Sequence, residues 1–160
     1  MTPPPLVPLP LLQQREVEAN VIAPLFRAFV AEVGEPRARE ILSNTIRELA
    51  RQAGCNAATT TGGSDLAHFK RSVEKWTEGG ALELTVLRDD SQAFEFNVTR
   101  CRFAEMYHRL GLADLGPILS CGRDAAMIEG FNPGIAFSRT QTIMQGATHC
   151  NFRYSQEKQE

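Results

Sequence analysis

The chain has 160 residues, 42% of them hydrophobic and 22% charged, with a formal net charge of −2. That suits one globular domain with one core, and the absence of a basic stripe or a run of like charge argues against nucleic acid or an anionic membrane as the main partner. No apolar run approaches the roughly 20 residues that span a bilayer.

The opening, MTPPPLVPLPLLQQ, has no positive n-region, and its prolines interrupt the apolar stretch, so it does not read as a signal peptide. Residues 1–13 are expected to form an extended proline-rich tail, with Leu6, Leu9 and Leu11 able to pack on a neighbouring surface. Residues 14–160 are read as a single α+β domain. A cytoplasmic protein is expected, with Cys55, Cys101, Cys121 and Cys150 reduced.

Val17, Val21, Ile22, Leu25, Phe26, Phe29 and Val33 recur at helical spacing and predict a helix over 14–33, kinked or restarted at Pro24. Pro36 opens a second helix, with Ile41, Leu42, Ile46, Leu49 and Ala53 on its apolar face; GCNAATTTGGS reads as a loop. Ser64 caps a third helix carrying Leu66, Phe69, Val73 and Trp76. The period then changes to two. ALELTVL places Leu82, Leu84 and Val86 on one face, AFEFNVT places Phe94, Phe96 and Val98 on one face, and RDDSQ joins them as a hairpin. CRFAEMYHRLG is a short helix, and the segment to Phe131 is helical with a break at Gly116-Pro117. GIAFSRTQTIM and CNFRY form a second hairpin about QGATH. The expected fold is α+β: N-terminal helices, and an antiparallel sheet from two hairpins with helices packed on one face.

Chemistry concentrates in the last third. Alternation puts Phe137, Arg139, Gln141 and Ile143 on one face of the strand and Ser138, Thr140, Thr142 and Met144 on the other. An arginine there needs Asp124, Glu105 or a ligand carboxylate as partner if it is buried, and none if the strand is an exposed edge. In CGRD, Cys121 and Asp124 share a helix face one turn apart; a thiol beside an acid suits a nucleophile with a proton-transfer partner, or simply a buried cysteine. A carboxylate alone raises a thiol pKa, so an activating cation such as Arg123 or Arg139 is required. Cys101, Cys121 and Cys150 with Asp124 or His149 could make a metal set, but no Cys-x-x-Cys pair is present and no metal or cofactor is expected. His68, His108 and His149 form no spaced pair, and there is neither a phosphate-binding glycine loop nor a Gly-x-Ser-x-Gly elbow.

NVTRC (97–101), LSCGRD (119–124), RTQTIMQG (139–146) and CNF (150–152), taken in order, resemble the L-2-amino-thiazoline-4-carboxylic acid hydrolase family. One position departs: Asn151 stands where that family usually carries an aspartate. The resemblance implies ring-opening hydrolysis of a small carboxylate-bearing cyclic isothiourea to an N-carbamoyl-cysteine. That chemistry needs an acid for the ring nitrogen, a base or nucleophile at the carbon between nitrogen and sulfur, and a cation for the carboxylate. The implied roles are Cys121 and Asp124 as catalytic residues, covalent or general-base, with Arg139 on the substrate carboxylate. Gln141, Thr142, Asn97, Cys101 and Cys150 would complete the substrate site. The alternative is a non-catalytic small-molecule binding or sensor domain using the same pocket. The expected partner is a small carboxylate-bearing molecule; a homo-oligomer is left open.

Overall fold

A computed structural model describes residues 8–157. Five α-helices pack on one face of a four-stranded antiparallel sheet, as the α+β reading expects. The helices are α1 (Leu11–Val33), α2 (Glu35–Thr61), α3 (Leu66–Thr77), α4 (Arg102–Arg109) and α5 (Arg123–Phe131). The strands are β1 (Leu82–Asp89), β2 (Ala93–Cys101), β3 (Ile135–Ser138) and β4 (Cys150–Gln156), in the order β1-β2-β4-β3. Among the described residues no helix is long and apolar enough to cross a membrane.

Helix α1 begins at Leu11, within the segment expected to be an extended tail, and runs through Pro24 without ending. Leu6 lies outside the described residues; Leu9 is exposed and Leu11 packs on the core. Its buried face is Ala19, Ala23 and Phe26, with Ile22 partly covered. The longest apolar row, Val17, Val21, Leu25, Phe29 and Val33, faces outward with each side chain about half exposed. Small residues turn inward because α2 and α4 cross close to this helix.

Helix α2 corrects the expected loop at GCNAATTTGGS, because it continues to Thr61. Thr59, Thr60 and Thr61 return their hydroxyls to the carbonyls of Cys55, Asn56 and Ala57, one turn back within the helix. Termination falls to the glycines. Gly62 is left-handed (φ 77°), its N–H reaches Thr59 O, and Gly63 N–H reaches Ala58 O. The α3 cap is Asp65, not Ser64; its carboxylate accepts from His68 N at 2.9 Å.

In the sheet, Phe94, Phe96, Val98, Cys150, Phe152 and Tyr154 occupy one face, and Phe96 stacks on Phe152 at 4.9 Å. Asn97, paired with Asn151, and Glu95, paired with Arg153, lie on the opposite, uncovered face. Val86 is exposed, where the sequence placed it with Leu82 and Leu84; β1 slips register between Val86 and Arg88. The second hairpin is shorter than expected. β3 ends at Ser138, residues 139–142 leave the sheet, and a single 3₁₀ turn at Ile143–Gln145 follows.

Two buried clusters result. One joins α1, α2 and α4 through Phe26, Ile46, Met106 and Tyr107; the other joins α3 and α5 to the sheet through Phe69, Phe96, Phe131 and Tyr154. Leu11, Leu82 and Cys101 touch both. Helices α2 and α5 cross at backbone contact: a Cβ on Gly54 would lie 2.0 Å from Met127 O, and one on Gly130 would lie 1.9 Å from Arg51 O. Gly54→Ala and Gly130→Ala should therefore each cost about 1–3 kcal/mol or more, read by urea denaturation; unchanged midpoints would mean that the crossing is looser than this.

Candidate functional site

A cavity of about 100 Å³ opens where the two clusters meet. The sheet supplies Val98, Cys101, Cys150 and Phe152; α1 supplies Leu11 and Arg15; α3 supplies Trp76. The rest of the wall includes Leu82 from β1, Phe103 from α4, Ser120 and Cys121 from the widened helical turn at Pro117–Cys121, Arg123, Asp124 and Met127 from α5, and Arg139 and Met144 from the connection after β3. That room suits a single-ring compound or a few waters.

Alternation along β3 holds as far as Arg139, which follows Phe137 inward. There its Nη1 donates to Asp124 Oδ2 and its Nη2 to Cys121 O at 3.1 Å. The guanidinium lies 5.2 Å from the Phe152 ring centre and 5.8 Å from that of Phe137. The two charged side chains are 14% and 19% exposed, so this is a largely buried ion pair.

After Arg139 the alternation fails, and Asn151 is the reason. Its Oδ1 accepts from the N–H groups of both Thr140 and Gln141 at 3.0 Å, and its Nδ2 donates to Thr140 Oγ1. Side chain replaces strand as the backbone's partner. Gln141 then donates to His149 O, and Thr142 is buried, its Oγ1 accepting from Gln145 N. Cys150 Sγ accepts from Ile143 N at 3.1 Å, and Cys101 Sγ from Ala104 N at 3.4 Å.

Of the residues that the sequence singled out, Cys101, Cys121, Asp124, Arg139 and Cys150 line the cavity. Gln141 and Thr142 are placed outside it, because their polar groups hold the connection together. Asn97 is on the far face of the sheet, its Oδ1 accepting from Arg153 Nη2. Arg15 and Ser120 line it as well; Ser120 stands within LSCGRD, whereas a single arginine in a polar stretch of helix carries no sequence signal. Among the described residues no three His, Cys, Asp or Glu side chains are grouped to hold a metal ion.

Burial governs the ionisations. It pushes the Cys121 thiol up to about 12, reinforced by the Asp124 carboxylate and opposed by Arg139. It pushes Cys101 up to about 11, and Cys150 upward. All three are neutral thiols near neutral pH. Burial also raises Asp124 to about 6, against the pull of Arg139 and then of Arg15 and Arg123.

The family described as L-2-amino-thiazoline-4-carboxylic acid hydrolase matches residues 14–154, nearly the whole described chain. The chain belongs to that family. No curated protein matches it. Among solved structures it is similar in fold to the phenol-responsive sensory domain of the transcription activator PoxR, crystallised with phenol. That likeness has a TM-score of 0.54 at 16% identity, over 85% of this chain and 73% of the other.

Two outcomes follow from this geometry. Asn151→Ala leaves two backbone N–H groups without their acceptor and should cost about 1–2 kcal/mol, whereas Asn151→Asp, which keeps the acceptor, should retain wild-type stability in the same denaturation assay. Asp124 is raised above its ordinary 3.8 to about 6, so folding takes up a proton between these values. That contribution to stability is complete below about pH 4 and lost as pH rises through about 6. Relative to Asp124→Asn, the wild type should gain stability on acidification across this window; a constant difference would contradict it.

Proposed function

We propose that the protein is a ring-opening hydrolase of a small cyclic isothiourea of the 2-amino-thiazoline-4-carboxylate type, with Asp124 as general base. The observation that carries this reading is a buried carboxylate, fixed by Arg139, on the wall of a cavity sized for one ring. Family membership supplies the substrate class.

Asp124 takes a proton from water as the oxygen adds to the carbon between ring nitrogen and sulfur. As the tetrahedral intermediate collapses, its hydroxyl proton passes to the ring nitrogen, the carbon–sulfur bond breaks, the proton on Asp124 goes to the departing sulfur, and N-carbamoyl-cysteine is left. A carboxylate with a pKa of about 6 suits both steps, since it is mostly ionised at pH 7 and a competent acid once protonated. Arg139 is a positioning residue, because both of its terminal nitrogens are already engaged by Asp124 and by Cys121 O. Cys121, a neutral thiol beside a carboxylate, is a poor nucleophile here and serves as a soft wall for the leaving sulfur.

The product carries a free thiol, so turnover is read with a thiol reagent. Asp124→Asn should lower kcat by about 10²–10⁴-fold; Cys121→Ser should stay within about tenfold of wild type. kcat/KM should rise with pH through about 6 as Asp124 ionises. A dead Cys121→Ser variant with a normal fold would establish covalent catalysis instead.

The apolar walls, among them Trp76, Leu82, Val98 and Phe152, together with the fold likeness to a phenol-responsive sensory domain, favour a second reading as a ligand-binding domain. Under it, 2-amino-thiazoline-4-carboxylate raises the melting temperature of the wild type and no thiol is released.

A further inference from the structure

The cavity has a second charged group that the hydrolytic step does not use. On α1, Arg15 and Glu18 stand one turn apart, and Arg15 Nη1 donates to both Glu18 oxygens at 2.8 and 2.9 Å. Arg123, at the start of α5, shares the same carboxylate: its Nη2 donates to Glu18 Oε2 at 3.1 Å and its Nε to Leu119 O at 2.6 Å. The two arginine side chains are only 16% and 13% exposed, and both line the cavity.

One carboxylate between two guanidinium groups leaves one uncompensated positive charge. Arg139 and Asp124 cancel, so the surplus belongs to the Arg15–Arg123 side. Among the described residues, Arg15 Nε and Nη2 and Arg123 Nη1 donate to no protein acceptor. Beside them Ser120 presents its hydroxyl, held at 3.0 Å by the buried Tyr107 hydroxyl. A half-neutralised pair of forked donors with a hydroxyl alongside matches a planar monoanion.

We infer that Arg15 and Arg123, not Arg139, form the anion-binding end of this cavity, and that it selects single-ring monocarboxylates over their uncharged counterparts. A ligand carboxylate at Arg139 would have to sit against Asp124, to which Arg139 is already paired, and Arg139 Nε is wholly buried. At Arg15 and Arg123 the same carboxylate completes the charge balance. Glu18 then competes with the ligand for the two arginines and tunes its affinity. The inference rests on the proposed reading that the cavity holds the substrate, but not on turnover.

The test uses 2-aminothiazole-4-carboxylate, whose aromatic ring resists opening, and neutral 2-aminothiazole, both titrated calorimetrically. The wild type should prefer the acid. Arg15→Met and Arg123→Met should each lower acid affinity by about 10- to 100-fold and leave the neutral compound within about twofold. Arg15→Lys should fall between. Glu18→Gln should tighten the acid and not the neutral compound, a gain that a merely structural role would not produce. Should an Arg→Met variant fail to melt as a folded protein, Arg15→Lys and Glu18→Gln decide. No acid preference in the wild type, or a preference that none of these variants alters, overturns the inference. Acid preference with this dependence but no thiol release from the thiazoline would sink the hydrolase reading and leave the anion site standing. Turnover with an unaltered preference would do the reverse.

Discussion

The buried ion pair between Arg139 and Asp124 joins the two halves of the site. It ties the segment that leaves the sheet after β3 to the first turn of α5, and it sets one carboxylate on the wall of an otherwise largely apolar cavity. Such a pair is weak evidence of stability. Desolvating both charges offsets most of their attraction, while removing one partner alone costs about 3–5 kcal/mol. A well-packed apolar pair would serve the core as well. Its setting is distinctive electrostatically: a carboxylate oriented by Arg139 yet kept out of water, with burial moving its ionisation toward neutrality against the pull of the arginine.

Both ends of that pair are fixed by contacts that do not touch the cavity. On one side, α5 is located by its crossing with α2, where Gly54 and Gly130 let the backbones meet. On the other, Asn151 holds Thr140 and Gln141 away from the sheet, so that Arg139 is the last residue to follow the pleat. The aspartate that the resemblance leads one to expect at position 151 would keep this contact. The position lies on the uncovered face of the sheet, opposite Asn97, and acts through its acceptor oxygen. An aspartate offers the same acceptor, so the asparagine here carries no implication for proton transfer.

Local patterning was legible where neighbours in sequence decide the structure. The β1–β2 hairpin, the apolar face of α3, the inward faces of Phe94, Phe96 and Val98, and the short helix after Cys101 all follow from period and turn chemistry. It failed where distant packing decides. The Val17–Val33 row of α1 has the stronger apolar pattern, yet Ala19 and Ala23 are buried because only small side chains admit the helices crossing there. The end of α2 looked like a loop because threonine and glycine disfavour helix; the hydroxyl back-bonds and the α5 contact are invisible in a propensity. Among candidate site residues, Cys121, Asp124 and Arg139 stood out through their motifs, while Gln141 and Thr142 turned out to serve the backbone. Arg15 needed the structure, since its partner Arg123 is 108 positions further along the chain.

Three cysteines around one small cavity invite a thiol mechanism, and the environment argues against it. Each sulfur is desolvated, and two already accept a hydrogen bond from a backbone N–H, Cys101 from Ala104 and Cys150 from Ile143. Cys121 lacks such a donor, and after burial the largest influence on it is the Asp124 carboxylate, which opposes a thiolate. Arg139 offsets this only in part. On the proposed hydrolytic reading the same groups cohere if the thiols stay neutral: they would provide small, polarizable walls beside the ring, and the work of moving a proton would fall to the one carboxylate whose ionisation burial shifts into the useful range. On the inferred reading, the positive surplus on Arg15 and Arg123 has a separate task, holding the ligand's anion.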